Sequence, residues 1–247
     1  MRKILYLLPF LLSGCSSMYV PQMANVPLFE EKGEKQVELS LSPNSAYASL
    51  DYAFSDNYAV MLNGNMSFGN MTDYNDIFTH KDSSRAKYTD ISIYGRYSHK
   101  YAEAAVGRYN LLKSDKYKLE AFVGAGYGIA DEKAYHNKYG LAFAQIDFGQ
   151  AVKLFEWGLS MRLSSSLHNF DWTDDYGKSF HKEYSMVHLE PMAFCRVGGE
   201  HISFVPKIGL SLPITSPAFE SVESTIKDSD YYRTTVLHVS LGVRFKF

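Results

Sequence analysis

The chain has 247 residues, a formal charge of −2, 46% apolar and 15% aromatic residues, and two cysteines, Cys15 and Cys195. That near-neutral balance, with no basic stripe and no glycine loop to cradle phosphate, excludes a nucleic-acid binder, and one cysteine beyond Cys15 excludes an intramolecular disulfide framework. A slightly negative mean hydropathy of −0.22 beside so much apolar content points to alternation rather than apolar blocks.

The chain starts with Arg2 and Lys3, an apolar run from Ile4 to Leu12, and then Leu12-Ser13-Gly14-Cys15. The run is less than half the roughly 20 residues of a spanning helix, so residues 1–14 are expected to be a secretory signal peptide. The Leu-Ser-Gly-Cys ending resembles a bacterial lipobox, which implies cleavage before Cys15 and lipid (palmitate) attachment on its sulfur. A signal peptide followed by a chance cysteine is the alternative. Residues 15–34 are then expected to be a lipidated N-terminal segment, and 35–247 one all-β domain.

Period-two alternation begins at Lys35 to Ser42, with Val37, Leu39 and Leu41 opposite Gln36, Glu38 and Ser40. Leu50, Tyr52 and Phe54, then Val60, Leu62, Met66 and Phe68, make the oily faces of the next two strands. Alternation is weak from Ala102 to Leu111, and Asp90 to Tyr97 alternates in the opposite phase, so we expect one long strand with a bulge near His99. Counting 88–98 as a separate strand is the alternative. Leu119 to Tyr127, Ala142 to Phe148, Trp157 to Leu163, Val187 to Val197, Ile202 to Leu212 and Leu237 to Phe247 complete the set, with Pro206 as a blemish.

Short connections fall at 55–57, 113–116, 154–156 and 198–200. Long ones are expected at 70–87, 129–139, 167–183 and 213–230, with 43–45 breaking the rule. This rhythm and an even strand count predict an antiparallel up-and-down transmembrane β-barrel of about ten strands, with 8–12 admissible. A soluble, lipocalin-like barrel is the competing fold.

The last strand, ending in Phe247, resembles the signal read by the bacterial barrel-assembly machinery. The segment from Tyr19-Val20-Pro21 through Asn25-Val26-Pro27-Leu28-Phe29 to Glu31-Lys32-Gly33-Glu34, and the later Glu120 to Gly128, resemble small outer-membrane barrel lipoproteins of the Bacteroidetes. The resemblance implies a Gram-negative outer membrane and this fold, not an activity. Ser16, Ser17 and Met18 lack the acidic cluster resembling a surface-export tag, so the lipid is expected on the periplasmic side with Phe247.

Glu38, Asp51, Glu103, Glu120, Asp147, Glu156 and Glu190 are expected in the lumen with Arg162, Arg196, Lys207, Arg244 and Lys246. In a narrow barrel such charges should pair into a salt-bridged plug, the alternative being a narrow ion channel. Gly124, Gly126 and Gly128 leave local space or seat bulky neighbours.

Asp171, Trp172, Asp174, Asp175, Tyr176 and His181 gather in the third long loop as a possible binding surface, against the plainer reading of an aromatic girdle and solvated acids. Asp174, Asp175 and His181 would be the trio of a rim-sited hydrolase. No G-x-S-x-G or H-E-x-x-H motif accompanies them, so no catalytic residue, enzyme activity, cofactor or metal is expected. Cys195 is expected to face lipid, and His80, His99, His136 and His201 to be surface residues. The expected partners are outer-membrane lipid, the assembly machinery and another envelope protein. The expected role is structural or loop-mediated binding, accessory to a larger envelope complex.

Overall fold

The computed structural model describes residues 22–43, 45–67, 98–112, 114, 116–132, 135–152, 154–173, 177–215 and 236–247. The expected signal peptide over 1–14, Cys15, His80 and Asp90 to Tyr97 lie outside them. Ten strands run in order: β1 (Lys35–Leu41), β2 (Ser45–Tyr52), β3 (Tyr58–Ser67), β4 (Ser98–Arg108), β5 (Tyr117–Glu132), β6 (Tyr135–Val152), β7 (Phe155–Thr173), β8 (Ser179–Gly198), β9 (Ile202–Pro213) and β10 (Val236–Lys246). Each pairs antiparallel with its sequence neighbours, and β1 closes the barrel on β10 from Gln36↔Lys246 to Leu41↔Leu241. Closure leaves no free edge, as hydrocarbon requires, since no water is there to satisfy one.

We call the end that carries Lys35 and Phe247 the near mouth and the opposite end the far mouth. The two residues exchange backbone bonds there, Lys35 N to Phe247 O at 3.1 Å and Phe247 N to Lys35 O at 2.9 Å.

Along the near two-thirds of the wall the side chains are inverted relative to a soluble barrel. Leu39, Leu50, Leu62, Val123, Ile146, Leu159, Leu163, Ile208 and Leu241 are exposed on the outside. Glu38, Glu120, Asp147, Arg162, Arg196 and Lys207 are buried inside. An outward apolar band over a polar interior is the membrane-barrel arrangement, and it overrides the lipocalin-like alternative.

Toward the far mouth the polarity reverses. On β7 Asn169, Asp171 and Thr173 point out while His168 and Phe170 point in, and on β8 His181, Glu183 and Ser185 point out while Tyr184 and Met186 point in. The reversal corrects two expected loops. Residues 129–132, 135–139, 167–173 and 179–183 are strand: β5 reaches Glu132 and β6 resumes at Tyr135, while β7 reaches Thr173 and β8 resumes at Ser179. Their outward residues stand beyond the apolar band and are polar, so the hydrophobic alternation that marks a strand in lipid disappears from the sequence although the pleat continues.

Among the described residues no bulge falls at His99. Ser98↔Asp131, His99↔Ala130 and Lys100↔Ile129 pair one to one. Pro206 has company in Pro191. The β8–β9 ladder holds at Met192↔Gly209 and Phe194↔Lys207 but skips the positions beside both prolines, where an N–H donor is missing.

Candidate functional site

The lumen is filled by the chain's own N-terminal segment. Residues 22–29 have no regular secondary structure and are all buried, whereas Glu30 and the turn at 31–33 are exposed at the near mouth before Glu34 leads into β1. Gly33 takes a φ of 90°, a value that suits glycine, and closes this turn by donating from its amide to Ala53 O at 2.8 Å. Of the N-terminal segment expected over 15–34, residues 22–34 are described, and 22–29 pack inside the barrel. Met23, Val26, Leu28 and Phe29 are too apolar for a solvated tether, and that was the signal available in the sequence.

A buried segment without secondary structure must find partners for its backbone elsewhere. The barrel wall supplies them. Ala24 O accepts from Lys207 Nζ at 3.3 Å, Asn25 O from Gln145 Nε2 at 2.7 Å, and Val26 O from an Arg196 guanidinium nitrogen. Pro27 O accepts from Gln36 Nε2 at 3.0 Å and Arg196 Nη1 at 3.3 Å, and Leu28 O from Lys118 Nζ at 3.3 Å. The amides of Leu28 and Phe29 donate to the two oxygens of Glu120 at 3.0 and 2.6 Å. The carbonyls of residues 24–28 are therefore all held by lumen donors.

Side chains complete the seat. Asn25 donates to Asp51 at 2.5 Å, Leu28 lies over Gly149 where a Cβ would overlap it, and Phe29 packs on Tyr109 with ring centroids 5.5 Å apart. Met23, Ala24, Val26 and Leu28 share a buried cluster with Met192 and Phe194. At the near mouth Glu30 is clamped by Lys118 at 2.6 Å and Lys246 at 2.8 Å. Partial burial pushes the Glu30 carboxyl up, but these two ammonium groups outweigh it and hold it at about 2.

Around the segment the lumen charges pair as opposites. Arg162 meets Glu103 through two parallel bonds of 3.0 Å and stacks over Phe143 at 4.1 Å. Arg196 and Arg244 share Glu156 at 2.9 and 3.2 Å, and Lys207 meets Glu38 at 2.5 Å. The residues expected in the lumen are buried there except Lys246, which stands at the near mouth, but Glu120 grips backbone amides. Asp147 accepts from Gln145, and Glu190 accepts from Ser211 at 3.3 Å. Lys118, Gln36 and Gln145 carry as much of the seat and were missed because alternation alone does not rank one polar inward residue above another.

Beyond the segment, toward the far mouth, an aromatic tier closes one side. His99 Nε2 lies 2.6 Å from Tyr139 Oη, and the rings of His99, Tyr139, His168 and Tyr184 stack in succession. His99 is thus a buried lumen residue, correcting its surface assignment, whereas His136 is partly exposed and His201 exposed. The tier needs the glycines of β5. A Cβ at Gly128 would strike Tyr139, one at Gly126 would strike Tyr101, and one at Gly124 would strike Phe143. The glycine row seats aromatic rings.

At the far rim Asp171 pairs with His181 at 2.7 Å, and Glu183 lies 3.8 Å from the same imidazole. Trp172 is within β7, whereas Asp174, Asp175 and Tyr176 lie outside the described residues. Cys195 points outward from β8 and is partly exposed.

Fold and lumen together define a plugged, ten-stranded transmembrane β-barrel. No protein-family model matches the chain, and no curated protein matches it. Among solved structures it is similar to the N-terminal β-barrel domain of Pseudomonas aeruginosa OprF, at 11% identity and a TM-score of 0.34, covering 88% of this chain and 100% of that one. At that similarity the likeness has no bearing on function.

Proposed function

We propose that this protein is an outer-membrane lipoprotein of a Gram-negative envelope, lipidated on Cys15, whose closed barrel serves as a non-conducting platform for the rim and connections at its far mouth. The near mouth is the periplasmic one in this reading. Its role is structural or binding, accessory to a larger envelope assembly, and it involves no catalytic step. The observation that carries it is the occupied lumen, in which the carbonyls of 24–28 are all taken by wall donors between fixed ion pairs. A narrow ion path would need that space.

Planar-bilayer recording tests the reading. The intact protein should give no stable conductance, and deletion of residues 22–30 should open one. Stable conductance from the intact protein would defeat the platform and favour the channel. Palmitate labelling should be present and lost on Cys15→Ala, and an unlabelled protein would defeat the lipidation. A rim hydrolase would instead show an activity abolished by substituting Asp174 and His181 together.

A further inference from the structure

The direction of the N-terminal segment has a topological consequence. Read backward from β1, it climbs steadily from the near mouth. On β6, which runs from the far mouth at Tyr135 to the near mouth at Val152, Leu28 sits at Gly149 and Asn25 at Gln145. On β1, which runs the other way, Pro27 meets Gln36, while Gln22 and Met23 border a small recess with Glu38 and Ser40. The same recess includes Tyr47 and Ser49 of β2, so Gln22 lies close to where the two shortest strands end, at Leu41 and Ser45.

Behind Gln22 the lumen is full. Residues 23–30, the Glu120 grip, and the Arg196 and Lys207 pairs occupy the route back to the near mouth, and residues 22–29 show no reversal. We infer that the chain upstream of Gln22 leaves through the far mouth, so that Cys15 belongs to the opposite side of the membrane from Phe247. The seven residue steps from Gln22 to Cys15 can span up to roughly 23 to 25 Å, which is ample from a point close to the rim of β1 and β2.

The periplasmic placement expected for the lipid counted ten strands and returned both termini to one side. The buried segment adds one further pass through the barrel and moves the N-terminus across. Combined with the lipidation proposed above, on which this part rests, the barrel carries its own acyl anchor through its lumen to the external leaflet. The backbone-directed donors of the wall suit that task, because they hold an extended chain by its carbonyls and demand little of its side chains.

The test is Ser17→Cys in a Cys195→Ala background, probed on intact cells with a membrane-impermeant maleimide. Cys195→Ala alone serves as the control for Cys15, and heat-modifiable migration confirms that the barrel is folded. Labelling of intact cells to the level reached after lysis is the expected result. Labelling only after the outer membrane is permeabilised would overturn the inference, and so would folded protein unlabelled in both states, since that encloses residue 17. Palmitate incorporation on Cys15 is scored separately, so a protein without lipid and a protein with its N-terminus in the periplasm give different results.

Discussion

Glu120 accepts the backbone amide of Leu28 at 3.0 Å within the lumen, and its second oxygen takes the amide of Phe29 at 2.6 Å. One carboxylate thereby satisfies two consecutive N–H groups of a segment that has no secondary structure to do so. Leu28 itself has a φ of 54°, a left-handed conformation unusual for a non-glycine residue, and it is held where the two bonds converge.

Glu120→Gln keeps the shape but replaces one acceptor oxygen by a donor facing an amide. Leaving a buried donor without an acceptor costs about 1 to 3 kcal/mol. The variant should lose stability on that scale, read as a lower midpoint of urea unfolding in vesicles, and should expose residues 22–34 to protease. An unchanged digestion pattern would count against the grip.

The Arg162–Glu103 pair sets a second expectation. Both side chains are almost fully buried, and Tyr101 and Asn63 donate to the same carboxylate at 2.8 and 2.7 Å. Removing one partner of such a pair typically costs about 3 to 5 kcal/mol because the other charge is stranded. Arg162→Met should therefore be severe, and Arg162→Met combined with Glu103→Gln should recover part of the loss. Strict additivity in the unfolding midpoints would refute the coupling.

Gly149 gives a steric test. Its missing Cβ makes room for the Leu28 side chain, whereas a Cβ at Gly140 would meet nothing within 4 Å. Overpacking of this kind costs about 1 to 3 kcal/mol. Gly149→Ala should be destabilising, Gly140→Ala close to neutral, and Gly149→Ala with Leu28→Ala partly restored. Equal effects at the two glycines would show that Leu28 does not occupy the seat.

Glu30 predicts a response to acid. Its folded value of about 2 lies below the ordinary 4.5, so its pairing with Lys118 and Lys246 stabilises the protein fully above that ordinary value. The contribution fades as pH falls through the interval from about 4.5 to about 2. Glu30→Gln should lower near-mouth protease protection at neutral pH and flatten its pH dependence between about 4.5 and about 2. A variant as acid-sensitive as the parent would assign the effect to another group.

The amino-acid sequence by itself determined the class of structure. Alternation in Leu237 to Phe247, Trp157 to Leu163 and Leu119 to Tyr127 specifies strands with one oily face, because the side-chain period of two is a local property of an extended backbone. It also placed Arg162, Arg196, Lys207 and Glu120 inside, since the same period separates lumen from lipid. Strand ends beyond the apolar band, such as Asn169 to Thr173 and Ser179 to Glu183, were not legible, because their outward face meets water and the contrast between faces reverses there.

Only the tertiary structure decided what fills the lumen. The apolar side chains of Met23, Val26, Leu28 and Phe29 suit burial, but no local pattern names the lumen as the place, for the segment's partners Lys118, Gln145, Arg196 and Lys207 lie up to 183 residues away. Its bonds are made by backbone atoms that every sequence possesses. Closing the barrel brings those distant donors onto one line of carbonyls, and it is the closure that turns the stretch before β1 into the plug.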